Sequence, residues 1–226
     1  MNRFDGSPAD SAASAIADGG VVVRRAFSSD WLTRVAALDA PTIEGPLAEP
    51  GFLEHPVVAP ILVSTLGEDY IMGRLRIGHT AAAALADLPE RSALFGDACD
   101  ARVPAFGLAL HVALTAGTAH ASAATIALAA GDVVVCDTRT RLRADGLAML
   151  AVYYRHWFRE PIGDLSAPPF AISLVTYQRL PAAQRHLFAW RFDRYLRLRP
   201  RLLLDRGLRR LPAPVADAVR RMLPGR

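Results

Sequence analysis

Six histidines, two cysteines and an alternating charged run, Asp137, Arg139, Arg141 and Arg143, hold most of the chemistry open to this chain. His111 lies in the run Leu108-Ala109-Leu110-His111-Val112-Ala113, where alternation sets 109, 111 and 113 on one side of a strand. Imidazole titrates near neutrality, so His111 is a candidate acid or base; the plainer reading is a core or pocket-wall histidine with a satisfied hydrogen bond. Asp137, Arg139, Arg141 and Arg143 would share one side of an extended segment. There the arginines could clamp an anionic ligand while Asp137 exchanges a proton, or the group could pair internally as an Asp–Arg rung at a rim. Tyr153 is expected to point inward by the same alternation, to donate to a ligand or to pack. His79 and His120 fall in small-residue loops with no carboxylate at ligand spacing. His55 before Pro56 marks the start of a helix, and His156 and His186 lie in exposed basic contexts. Cys136 sits in an apolar strand, where a thiol is buried and inert. Cys99 and Cys136 form no C-x-x-C, which excludes a zinc ribbon or a disulfide framework.

The elements that must position these residues follow from pattern. Gly20 to Arg24 is a β-branched run and predicts a strand. Ser28-Ser29-Asp30 offers N-cap chemistry for a helix through Leu38, with Trp31, Leu32, Val35 and Leu38 at helical spacing. A Pro/Gly-rich loop over 41–51 precedes a helix from Pro56 to Leu66, ended by Gly67. Tyr70–Ile77 reads as a strand and Ala81–Leu88 as a helix stopped by Pro89. The centre is strand-rich: Phe106–Leu114, Thr125–Leu128, Asp132–Val135 and Leu147–Tyr154. Short helices over about 180–199, 201–211 and 215–223 follow a proline-rich loop. Strands after a helical N-terminal third point to a sandwich or barrel with helices packed outside.

The 226 residues are 52% hydrophobic and 21% charged, enough for a full core without disulfides or metal. No signal-peptide core and no apolar run of membrane-span length is present, so a soluble, cytoplasmic, bacterial-type protein is expected. All 26 basic residues are arginine, which excludes Schiff-base chemistry by a lysine. Charge is uneven. Residues 190–226 hold eleven arginines against three aspartates, whereas the rest of the chain is mildly acidic. The expected organisation is a leader over 1–17, a domain over 18–189 and a basic helical extension over 190–226. That extension is read first as docking on the protein itself or on a protein partner, and then as lying on an anionic membrane surface. Nucleic acid is not expected, because no recognition motif or aromatic platform accompanies the charge.

Several segments, in order, resemble bacterial members of the phytanoyl-CoA dioxygenase family, of the Fe(II)/2-oxoglutarate oxygenase superfamily. They are Asp18-Gly19-Gly20-Val21-Val22-Val23-Arg24, then Glu54-His55-Pro56 with Leu66-Gly67-Glu68-Asp69-Tyr70. Gly131-Asp132-Val133-Val134-Val135-Cys136-Asp137-Thr138-Arg139, Tyr153 to Phe158 and residues 168–188 complete the set. The resemblance implies mixed β structure with flanking helices, around a double-stranded β-helix (jelly-roll, cupin-like) core. It also implies Fe(II) on a His-x-Asp pair and a distal histidine, with an arginine gripping 2-oxoglutarate. This chain departs at each point. Leu88-Pro89-Glu90-Arg91 stands near the His-x-Asp position, Leu142 at the distal histidine, and Asp145-Gly146-Leu147 where the arginine belongs. The loop before the distal ligand shrinks to Gly117–Ser122. No metal and no cofactor are therefore expected. The expected role is a small-molecule-binding or partner protein in a bacterial, secondary-metabolite-type pathway, with His111 and Asp137 as acid/base candidates and Arg139, Arg141 and Tyr153 as ligand contacts. The alternatives are a metal-independent isomerase or cyclase and, third, an oxygenase with unconventional iron ligands.

Overall fold

The structure, a computed structural model, describes residues 20–79, 105–121, 124–140, 142–156 and 170–192. The helix expected over Ala81–Leu88, Arg141, and the extension beyond residue 192 lie outside them. The chain divides into two compact units, Met1–Leu187 and Phe188–Arg226.

The first unit opens with β1 (Val21–Val23), then α1 (Ser29–Ala36), capped as expected by Ser28, whose hydroxyl accepts the Trp31 N–H. Where a plain loop was expected over 41–51, a 3₁₀ turn (Gly45–Ala48) and a one-turn α2 (Pro50–Leu53) form instead. Each carries proline in its first turn, where the missing N–H costs nothing. Trp31 holds them: its indole N–H donates to Pro46 O at 2.9 Å, and its ring stacks on Phe27 at 4.1 Å and tilts against Phe52. Trp31 and Phe52 are buried, each worth roughly 1.5–3 kcal/mol of apolar burial. Helix α3 (Val58–Leu66) follows and ends at Gly67. His55 starts it: Nδ1 accepts the Val57 and Val58 N–H groups, so Nε2 is the protonated nitrogen and donates to Ala26 O at 2.8 Å.

Seven further strands follow: β2 (Ile71–Gly78), β3 (Gly107–Ala113), β4 (Gly117–Ala121), β5 (Ala124–Leu128), β6 (Val133–Asp137), β7 (Leu142–Ala144) and β8 (Ala148–Tyr154). They form a five-stranded sheet, β1-β6-β3-β8-β2, and a three-stranded sheet, β5-β4-β7, with every strand pair antiparallel. After the sheets come α4 (Leu174–Arg179) and a helix over 182–192.

Gly117 to Ala121, expected as a loop, is strand β4, paired on both sides. Four connections cross from one sheet to the other: β3 to β4, β5 to β6, β6 to β7, and β7 to β8. At one corner the Leu114 and Thr115 N–H groups share Leu147 O, and the Asp145 N–H reaches Thr118 O. Gly117 is required there, since a Cβ would sit 2.5 Å from Asp145 O. At the β5–β6 corner Asp132, 1% exposed, acts as a clasp. Its carboxylate accepts the Arg25 and Ala129 N–H groups at 2.9 Å and the Arg24 guanidinium. Burial alone would raise its pKa, but these donors hold the carboxyl below its ordinary value.

Candidate functional site

Register decides which side chains can act together. On central strand β3, His111 lies opposite Val134 of β6 and Leu150 of β8, and Leu150 lies opposite Arg76 of β2. One row along, Ala109 lies opposite Cys136 and Val152, and Val152 lies opposite Arg74. His111, Ala109, Ala113, Val134, Cys136, Leu150 and Val152 therefore share one side of the large sheet.

On the small sheet Ala119 lies opposite Ile126 and Ala144, Gly117 opposite Leu128 and Ala121 opposite Leu142, so Ala119, Ile126, Leu128 and Leu142 share one side. Ala119, Ile126, Leu128 and Leu142 are all buried, while His120 and Arg143, opposite each other, are exposed. The small sheet thus has one buried side and one exposed side. His120 is a strand residue, not a loop one, and Nδ1 meets the Thr125 hydroxyl at 3.0 Å. His79 sits in an exposed turn.

His111 is 1% exposed, and neither ring nitrogen meets a hydrogen-bond partner among the described residues. Where a core histidine with a satisfied bond was the plainer reading, the ring is buried and its nitrogens meet no partner among the described residues. Burial pushes its pKa down to about 4, so the ring is neutral at ordinary pH.

The other expected site residues lie elsewhere. Asp137 is opposite Leu108, and Tyr153 is also opposite Leu108, so by register both fall on the other side of the sheet from His111. Tyr153 packs its ring edge-on against Tyr70, centroids 5.7 Å apart, and burial holds its hydroxyl well above the usual phenol range. The expectation that it points to the same side as His111 is corrected by that register. Asp137 and Arg139 do not continue one extended segment, because Thr138 and Arg139 form a turn after β6. Within it Asp137 accepts the Arg139 backbone N–H at 2.8 Å, and the Arg139 guanidinium bridges both of its carboxylate oxygens. The internal Asp–Arg pair, rather than an open clamp, is what forms.

The sequence reading passed over Arg74. Strand β2 carries a bulge between Met72 and Arg74, with Gly73 the extra residue. Without it Arg74 would oppose Ala151 on the far side; with it Arg74 and Arg76 turn to the His111 side, and Met72, Leu75 and Ile77 turn to the apolar one. Arg74 is half-buried, its Nε is enclosed, and no partner meets that nitrogen among the described residues. A signal was available: Arg74 and Arg76 alternate within an otherwise apolar strand.

The iron-site positions can be tested on their donors. Leu142, at the distal-ligand position, is 5% exposed and offers no lone pair. Asp145 accepts the Thr118 hydroxyl at 2.9 Å, Gly146 and Leu147 supply no guanidinium, and the segment 88–91 lies outside the described residues. Among the described residues no three of His, Cys, Asp or Glu converge as a metal site. The described donors do not fit a facial triad with 2-oxoglutarate.

No protein-family model matches the sequence, and no curated protein matches it. Among solved structures the chain is similar to HygX from Streptomyces hygroscopicus, determined with nickel and 2-oxoglutarate bound. Identity is 13% over 63% of this chain and 84% of that one, with a TM-score of 0.41. At that level the likeness says nothing about what this chain binds. No helix among the described residues is long and apolar enough to cross a membrane.

Proposed function

We propose that this chain is a degenerate, jelly-roll relative of the phytanoyl-CoA dioxygenases that has abandoned iron chemistry and binds a small molecule between its two sheets, as a binding or partner protein in a bacterial pathway. One observation carries the reading: His111, buried at the centre of the large sheet, with neither ring nitrogen paired among the described residues. An unpaired buried polar group costs about 1–3 kcal/mol, and a fold keeps such a cost where a ligand offsets it. The ordered motifs of the sequence support the relationship, and their departures at the iron-binding positions, with Leu142 buried in the small sheet, support the loss of iron. A metal-free isomerase or cyclase using His111 is the less favoured reading, because a ring pushed down to about 4 is a weak base and Asp137 is engaged by Arg139 on the other side.

Native mass spectrometry of the protein purified without ligand or metal tests this. A co-purifying organic molecule, lost when His111→Phe fills its place, is expected. A wild-type protein that carries and takes up no small molecule from a metabolite extract would overturn it.

A further inference from the structure

Resting on the binding site just proposed, the geometry points to its ligand class: we infer that Arg74 anchors a carboxylate, Arg76 draws the anion in from the rim, and His111 hydrogen-bonds the ligand's far end.

The charge balance on this side is uneven. Arg24 pairs with Asp132, Arg34 with Asp30 and Glu49, and Arg139 with Asp137. Arg155 and Arg185 donate to backbone carbonyls. Arg74 has no such partner among the described residues, although its Nε is enclosed. By register, the described residues on the His111 side of the large sheet, and those on the buried side of the small one, include no aspartate or glutamate. A guanidinium drawn out of water without a counter-charge is costly, and a bound carboxylate both neutralises it and matches its planar fork. The bulge at Gly73 places it there.

The spacing limits the ligand's size. Arg74 and the His111–Ala109 strand are two strand spacings apart, about 10 Å between backbones. The floor between them is Val152, Leu150 and the short Ala109, so the body of the ligand is apolar and compact. One half-buried guanidinium balances one negative charge, which favours a carboxylate over a phosphate dianion. This arginine also lies away from the start of β8, where the resemblance would place a carboxylate grip.

Isothermal titration of the full-length protein with benzoate and butyrate, with benzamide and butyramide as neutral counterparts, and with inorganic phosphate tests the inference. Saturable binding of a carboxylate and not its amide is expected. Arg74→Gln should weaken it about tenfold or more, and Arg74→Lys less. Arg74→Met, which keeps the packing stem, is the second variant should Arg74→Gln melt early. Equal binding of acids and amides, unchanged in either variant but abolished by His111→Phe, would overturn the carboxylate anchor and leave the binding site standing. Phosphate bound in preference to both carboxylates would also overturn it. If no probe binds wild type, and Arg74→Gln and Arg74→Met melt as wild type does, the anchor and the site fail together.

Discussion

Replacing His111 by leucine isolates the cost that the large sheet carries at its centre. Leucine is of similar volume and needs no hydrogen bond, so the strand should keep its register between β6 and β8. At neutral pH the variant should gain about 1–3 kcal/mol, the desolvation cost of unpaired polar atoms. The pH dependence gives a sharper number. The His111 pKa falls from 6.5 in a free chain to about 4 in the fold, with burial the first cause. The unfolded chain therefore takes up a proton below about pH 6.5 that the folded chain refuses until about pH 4, and stability falls as pH drops through that window. The full difference is about 3 kcal/mol, of which about 2.5 should be lost by pH 4.5. Urea melts of wild type and His111→Leu at about pH 7.5 and 4.5 would measure it as a double difference, in which all other titrating groups cancel. If both proteins lose the same stability between the two pH values, His111 is not buried and neutral, and the reasoning from its environment fails.

Asp132→Ala should cost on the order of 3 kcal/mol in urea melts, since it strands two backbone donors and Arg24. Because the Asp132 carboxyl is held below 3.8, its contribution is complete above about pH 4 and fades as pH falls further, a fading that Asp132→Asn should remove. Gly117→Ala should lower stability by about 1–3 kcal/mol, because its methyl would meet Asp145 O at the sheet corner, and thermal melts would show no change if that corner can open. Succinate release from 2-oxoglutarate with added Fe(II) should stay at the no-protein level, and iron-dependent release would restore the oxygenase reading.

Local chemistry was legible in the sequence, and relations between distant strands were not. The β-branched run at Val21–Val23, the cap at Ser28 and the stop at Gly67 each depend on neighbours a few residues away, and each stands within a residue or two of its expected place. Gly117–Ala121 has no β-branched stretch and read as a loop. It is a strand because β5 and β7 supply partners on both sides, and only their geometry could reveal that. The same limit misplaced Tyr153. Alternation tells which residues of one strand share a side, but relating Tyr153 to His111 requires the register of β8 against β3, in which His111 opposes Leu150 and Tyr153 opposes Leu108. For Arg74 the difficulty was greater, since a single inserted glycine in β2 decides its side.

What the structure adds is a separation between residues that hold the fold and residues that tax it. Asp132, Asp137, His55 and Trp31 all find partners, and all serve corners, turns or helix starts. His111 and Arg74 find none among the described residues, and by register both lie on one side of the large sheet. Local rules are broken there and kept elsewhere, the distribution expected of a binding surface set into a stable frame. Leu142 fits the same division. At a position where the resemblance calls for a metal ligand, it lies in the buried aliphatic side of the small sheet, while His111 and Arg74 put polar groups on one side of the large sheet. Leucine at 111 and methionine at 74 would make that side apolar and remove the cost at once. An imidazole and an enclosed guanidinium nitrogen with no partner among the described residues are the physical ground on which the ligand is proposed.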